Sequence, residues 1–200
     1  WAFFQLFDAL VILISDTNPN ETDAHIFLDK TPSHAAFSCI NSLTKATNSD
    51  ALPRIYEYVD QNAQSEDWRL RYTSALLLNG ASQVKNNNIQ NITIAFDFFI
   101  NAINDPIPRV SEVALWSLGR LIKDIPALLI EFPEKFGQLC ENVASQMNIS
   151  DELTSRACWL LNGCFKIFSR DDEESPLVQN FEKFCSLLLE CADKFDVNAQ

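Results

Sequence analysis

The sequence predicts an all-α protein: a right-handed α-α superhelix of about four helical hairpins followed by an extra helix. Three observations predict it. Apolar residues recur at three- and four-residue spacing in segment after segment. Four of those segments are related by steps of about forty residues, the mark of a repeat architecture. The 200 residues include only four glycines, too few for folds built on many tight turns or on a phosphate-cradling loop. The hydrophobic share of 47% and the charged share of 21% are those of a folded chain able to bury a core.

Taken in order, the first amphipathic stretch runs from Trp1 to Ser15. Its apolar run is interrupted by Gln5 and Asp8 and is shorter than the roughly 20 residues of a membrane span. It lacks the basic start and small-residue cleavage site of a signal peptide. The chain opens on Trp1 rather than Met and reads as a piece of a longer protein. A polar, acidic connection over 16–31 follows, and then a helical segment from Pro32 to Ala46. Ala51 to Gln64 and Asp67 to Ala81 form the next pair; Asn88 to Asn104 and Pro108 to Ile125 form the third. Between them, Asp105-Pro106 and Pro108 suit a turn into a helix, where the missing proline N–H is harmless. Leu129 to Met147 pairs with Asp151 to Phe168, whose opening Asp151-Glu152 opposes the positive end of the helix dipole. An acidic link over 170–177 leads to a last helix over 178–195.

Aligned on Ser33, Arg71, Ser111 and Thr154, the second segments step by 38, 40 and 43 residues. Three residues on stand Ala36, Ser74, Ala114 and Ala157, all small. Seven on stand Ile40, Leu78, Leu118 and Leu161, all large and aliphatic. Eight on stand Asn41, Asn79, Gly119 and Asn162, none of them bulky and apolar. The period is that of HEAT-type repeats, which sets repeats at about 1–47, 48–84, 86–125 and 128–169 within one array over 1–200. Asn79-Gly80 and Asn162-Gly163 are hairpin-turn dipeptides, but their flanks do not alternate, so helix is expected.

The net charge of −12 argues against a general nucleic-acid binder. The six cysteines contain no C-x-x-C pair and the chain has two histidines, His25 and His34, so buried free thiols are expected rather than a zinc site. The sequons at Asn20, Asn91 and Asn148 would matter only in a secreted chain. Motifs for nucleotide, serine-hydrolase or zinc-protease chemistry are missing, so no enzyme, no cofactor and no metal are expected.

On each second helix the residues one, five and eight or nine after the alignment point share a face, and twelve extends it. That stripe reads Tyr72, Leu76, Asn79, Gln83, then Glu112, Trp116, Gly119 or Arg120, Lys123, then Ser155, Trp159, Asn162, Lys166. Trp116 and Trp159 thus hold the same place in adjacent repeats. An indole face attracts guanidinium or ammonium groups, the asparagine amides can hydrogen-bond a partner, and Glu112 can pair with a basic residue. Equally, Asn79 and Asn162 can serve packing and Glu112 can be a solvated charge. Trp68 reads as a wedge between repeats.

Glu66-Asp-Trp-Arg-Leu-Arg-Tyr72, Asp105-Pro106 through Val113-Ala-Leu-Trp-Ser-Leu-Gly-Arg120, and Ala157-Cys-Trp-Leu-Leu161 resemble consecutive HEAT repeats of importin β, and Thr31-Pro-Ser-His-Ala-Ala36 resembles the helix start before them. The resemblance covers roughly residues 30–195. It implies a central piece of a nuclear transport receptor, shuttling between cytoplasm and nucleus without binding nucleic acid or membrane. Its implied partners are an importin-α-type adaptor or basic nuclear-localisation cargo, the small GTPase Ran mainly through repeats outside this chain, and FG nucleoporins. It carries adaptor binding onto Trp116 and Trp159; the residues of the same stripes add Asn79, Asn162, Glu112, Tyr72 and Arg120 as candidate partner contacts. It also implies an acidic loop, here Asp16, Glu21, Asp23 and Asp29, although Lys30 stands where that family commonly has a tryptophan. A transportin-like receptor or a generic HEAT scaffold are the competing readings.

Overall fold

The computed structural model describes residues 2–16, 31–84, 88–147 and 149–168, together with 182, 184–186, 188 and 189. Among the described residues there are nine named α-helices, one 3-10 turn and no strand. The chain divides into two compact units, residues 1–95 and 96–200, each described by itself.

In the first unit, α1 (Ala2–Ser15) packs on α2 (Pro32–Thr47), and α3 (Leu52–Asn62) packs on α4 (Trp68–Ser82). A 3-10 turn, Asn48–Ala51, joins the two hairpins. The helical period of α1 puts Phe7, Leu10, Val11 and Ile14 in the core. Thr31 starts α2 by accepting the His34 N–H on its hydroxyl oxygen at 3.2 Å, and Asp67 starts α4 by accepting the Arg69 N–H at 3.0 Å. Pro53 occupies the first turn of α3. Ser15 donates to the Val11 carbonyl at 3.0 Å and meets the Thr73 hydroxyl at 3.1 Å, which links α1 to α4.

Helix α5 (Ile89–Ala102) crosses the boundary between the units. The second unit continues through α6 (Pro108–Asp124), α7 (Ala127–Glu131), α8 (Pro133–Gln146) and α9 (Asp151–Phe168). The stretch expected as one helix from Leu129 to Met147 is two, because Pro133 brings no N–H for an intrahelical bond and begins α8 afresh. Polar side chains bridge the end of α5 and α8: Asn142 donates to the Ile100 carbonyl at 2.7 Å, Ser145 to Asn104 Oδ1 at 2.9 Å, and Lys135 pairs with Asp97. Phe184 is buried edge-on against Phe165 of α9.

The alignment positions now have physical meanings. The small residues Ala36, Ser74, Ala114 and Ala157 and the aliphatic residues Ile40, Leu78, Leu118 and Leu161 are all buried. At the alignment point itself, four different contexts share one task. Ser33 donates to the Ile14 carbonyl at 3.2 Å, Arg71 to those of Ser65 and Glu66 at 2.7 and 3.1 Å, Ser111 to that of Asp105 at 3.0 Å, and Thr154 to that of Ser150 at 2.8 Å. Arg71, Ser111 and Thr154 each fasten their helix to the backbone just before it, whereas Ser33 ties α2 back to a carbonyl in the last turn of α1, one that α1 itself leaves open. Asn79-Gly80 and Asn162-Gly163 both lie inside helices.

Cys140 and Cys164 are buried free thiols, and burial pushes the Cys164 thiol far up. Cys158 and Cys185 are half-buried and Cys39 is exposed, which corrects the expectation of uniform burial. None of the described helices is long and apolar enough to cross a membrane, and the described residues hold no cluster of three metal-ligating side chains.

Leu118 is fully buried at the aliphatic position. Leu118→Ala should lower unfolding stability by about 2–5 kcal/mol, read as a drop in urea midpoint at unchanged slope.

Candidate functional site

Two contacts set the register of α6 against α9 in the second unit. Arg156 donates from Nε to Glu112 Oε1 at 3.3 Å. Further along, the six-membered ring of Trp159 rests on Gly119, where an added methyl group would overlap it. Helix α6 can take glycine here only at a propensity cost of about 1 kcal/mol, and the reason is the indole that occupies the missing side chain's space.

Glu112 and Gly119 of α6 thus meet Arg156 and Trp159 of α9; Trp116 and Arg120 stand within one turn of Gly119 along α6, and Asn162 one turn further along α9. Trp159 stays 42% exposed, and Asn162, Lys123, Ser155 and Lys166 are exposed as well. Trp116 is half-buried, and the Arg120 guanidinium sits over its ring, 4.9 Å from the centroid.

Glu112 is buried and committed to Arg156, so the solvated charge considered from sequence is corrected. Its carboxyl is pushed above the usual range chiefly by desolvation and secondarily by Glu152, while Arg156 and Arg109 pull it down.

In the first unit, Tyr72 and Asn79 are buried, as is every residue of α4 from Tyr72 to Ala81. The helical phase puts them on an accessible stripe; the structure corrects this, because α1, α2 and α3 all pack on α4. Asn79 Oδ1 accepts from Gln83 at 2.9 Å, and its Nδ2 has no hydrogen-bond partner. Tyr72 stacks edge-on with half-buried Trp68 at 6.1 Å. Asp16 is exposed and its N–H closes α1 on the Ile12 carbonyl at 3.0 Å. Glu21, Asp23 and Asp29 of the expected acidic loop lie outside the described residues, as does the 170–177 link.

Sequence reasoning missed Arg156 and the seating role of Gly119. Both left a signal: Arg156 and Glu112 are opposite charges at neighbouring positions of consecutive repeats, and Gly119 stands at the position that is never bulky.

Two outcomes follow from this geometry. Gly119→Ala should lift the Trp159 indole off α6, red-shifting its emission and raising its acrylamide quenching relative to the parent chain. A carboxyl that keeps its proton longer folded than unfolded contributes stability below the unfolded value, and that stability is lost as pH rises to the raised folded value. Urea midpoints of the parent chain should therefore fall across that interval, and Glu112→Gln should flatten the fall.

No protein-family sequence model matches the chain, and no curated protein sequence matches it. Solved structures do. Kap95p, in a study of how its binding switches the loops of RanGDP towards the GTP-bound conformation, superposes with a TM-score of 0.80 at 18% identity, over 96% of this chain and 22% of that one. Importin β crystallised from ammonium sulfate gives 0.80 at 18% identity, over 95% and 22%. Kap95 in complex with Nup1 gives 0.76 at 18% identity, over 94% and 21%. The chain spans about a fifth of the length of each. At such identity the likeness establishes architecture: the chain has the all-α HEAT-repeat fold found in importin β.

Proposed function

We propose that the chain is part of a nuclear transport receptor of the importin-β kind, and that the face formed by α6 and α9 binds a basic helical segment of an importin-α-type adaptor or of cargo. One observation carries the site: Trp159 is held on Gly119 and yet leaves 42% of its surface in solvent. A rigid aromatic group kept exposed on a packed helix face is what a binding hot spot requires. Its π face attracts a lysine or arginine of the partner, worth roughly 0.5–2 kcal/mol per contact. Asn162 on the same helix supplies an amide for a backbone or side-chain hydrogen bond.

The remaining candidates take graded parts. Trp116 and Arg120 are half-buried, within one turn of the Gly119 that seats the indole, and are proposed as neighbouring contacts for a ligand. Glu112, Tyr72 and Asn79 are buried and act by holding helices in place. The function is recognition rather than catalysis. Kap95 has been solved with RanGDP and with Nup1; by analogy Ran, contacted through repeats outside this chain, and FG nucleoporins are proposed partners here, in a receptor that shuttles between cytoplasm and nucleus.

Titration with an arginine-rich helical peptide at two salt concentrations tests the reading. Trp159→Ala should weaken binding by about two- to thirtyfold, with helicity unchanged. Unchanged affinity removes the site, and no binding by the parent chain favours a HEAT scaffold without a transport role.

A further inference from the structure

The two indoles are equivalent by position and unequal in state. Trp116 and Trp159 each stand five residues after the aligned Ser111 and Thr154. One helical turn beyond Trp116 is Arg120, whose guanidinium lies over the ring at 4.9 Å, within the roughly 6 Å reach of a cation–π contact. One turn beyond Trp159 is Gly163, which has no side chain and open space where a Cβ would stand. The matching position in α4 is also a glycine, Gly80. Arg120 therefore places a cation on its own helix's tryptophan where the aligned helices α4 and α9 place nothing.

We propose that Arg120 is a specificity-determining cap on Trp116. It makes Trp159 the first cation station of the α6–α9 face, and it leaves Trp116 open only to a ligand that displaces it. This deepens the docking reading and rests on it. A ligand cation that replaces the guanidinium exchanges one cation–π contact for another and gains little. While Arg120 stays in place, it repels a second ligand cation arriving beside the first. An intramolecular partner at i,i+4 also meets its ring at an effective concentration that a free ligand does not reach. The face thus selects a segment with one well-placed cation for Trp159, and it discriminates against one that needs both indoles at once.

The test is a double-mutant cycle on this chain with an arginine-rich helical peptide as probe. Arg120→Gln removes the charge and keeps most of the bulk. It should tighten binding about two- to fivefold, and Arg120→Lys should return it towards the parent value. Trp116→Ala should change affinity less than about twofold in the parent and weaken it about two- to fivefold in the Arg120→Gln background, whereas Trp159→Ala should weaken both. In the peptide-free parent, the Arg120 side-chain protons should show upfield ring-current shifts that Trp116→Ala abolishes. Equal effects of Trp116→Ala in both backgrounds, with peptide binding and its loss on Trp159→Ala intact, overturn the cap and leave the docking reading standing. Unshifted Arg120 protons overturn the cap whatever the peptide does. Absence of binding by the parent and by Arg120→Gln overturns the docking reading and the cap with it.

Discussion

The close approach of α6 and α9 at Gly119 is the constraint on which the second unit's candidate surface depends. Trp159 is more than half buried although it lies on an outward face. Covering on the order of 100 Å² of indole at about 25 cal/mol/Å² contributes roughly 2–3 kcal/mol. The glycine that admits the ring costs about 1 kcal/mol of helix propensity, so the seat is a net gain. With the helices locked in this register, Arg156 meets Glu112, and Trp159 stays partly exposed above Gly119. A side chain at position 119 would disturb the spacing, the pair and the exposed ring together.

Electrostatics give this surface a different character from the chain as a whole. The net charge is −12, yet the carboxylate of the α6 stripe, Glu112, is buried and matched by Arg156. The accessible charges around the indoles include Arg120, Lys123 and Lys166. In the proposed docking, a basic segment would be held here by stacking and hydrogen bonding, because Glu112 is already committed to Arg156. For such a proposed partner the acidic balance would act from further away, by drawing a cationic segment towards the chain. That attraction is screened beyond about 10 Å at 0.1 M salt, so salt should slow encounter more than it loosens the indole contact.

Much of the fold was legible because its signals are local and repeated. The helical period, the proline and acidic helix starts and the forty-residue step each act within one or two turns, and together they locate α2, α4, α6 and α9 to within a residue or two at either end. Even the break between α7 and α8 is written in Pro133. The burial of Tyr72 and Asn79 was not legible, because phase on one helix says which residues share a face and not how many neighbours cover it. Glu112 shows the same limit: its partner lies 44 positions away, and no periodicity within a single helix reveals that pairing.

The position eight residues after the alignment point shows how a steric rule can be mistaken for a chemical one. Asparagine occurs there three times, which invites a reading in terms of ligand hydrogen bonds. In the first unit, however, Asn41 Oδ1 and Asn79 Nδ2 are buried without hydrogen-bond partners, a condition that costs about 1–3 kcal/mol per group. Polarity is therefore not what the packing rewards. Gly119 fills the same position in α6 and is wanted for its lack of volume. In α4 the small neighbour Gly80 meets Asn41 so closely that an added methyl would overlap its side chain. Size is the shared requirement, and asparagine meets it at some cost. Its amide is accessible to a ligand only where the helix face opens to solvent, and among these aligned positions the exposed one is Asn162.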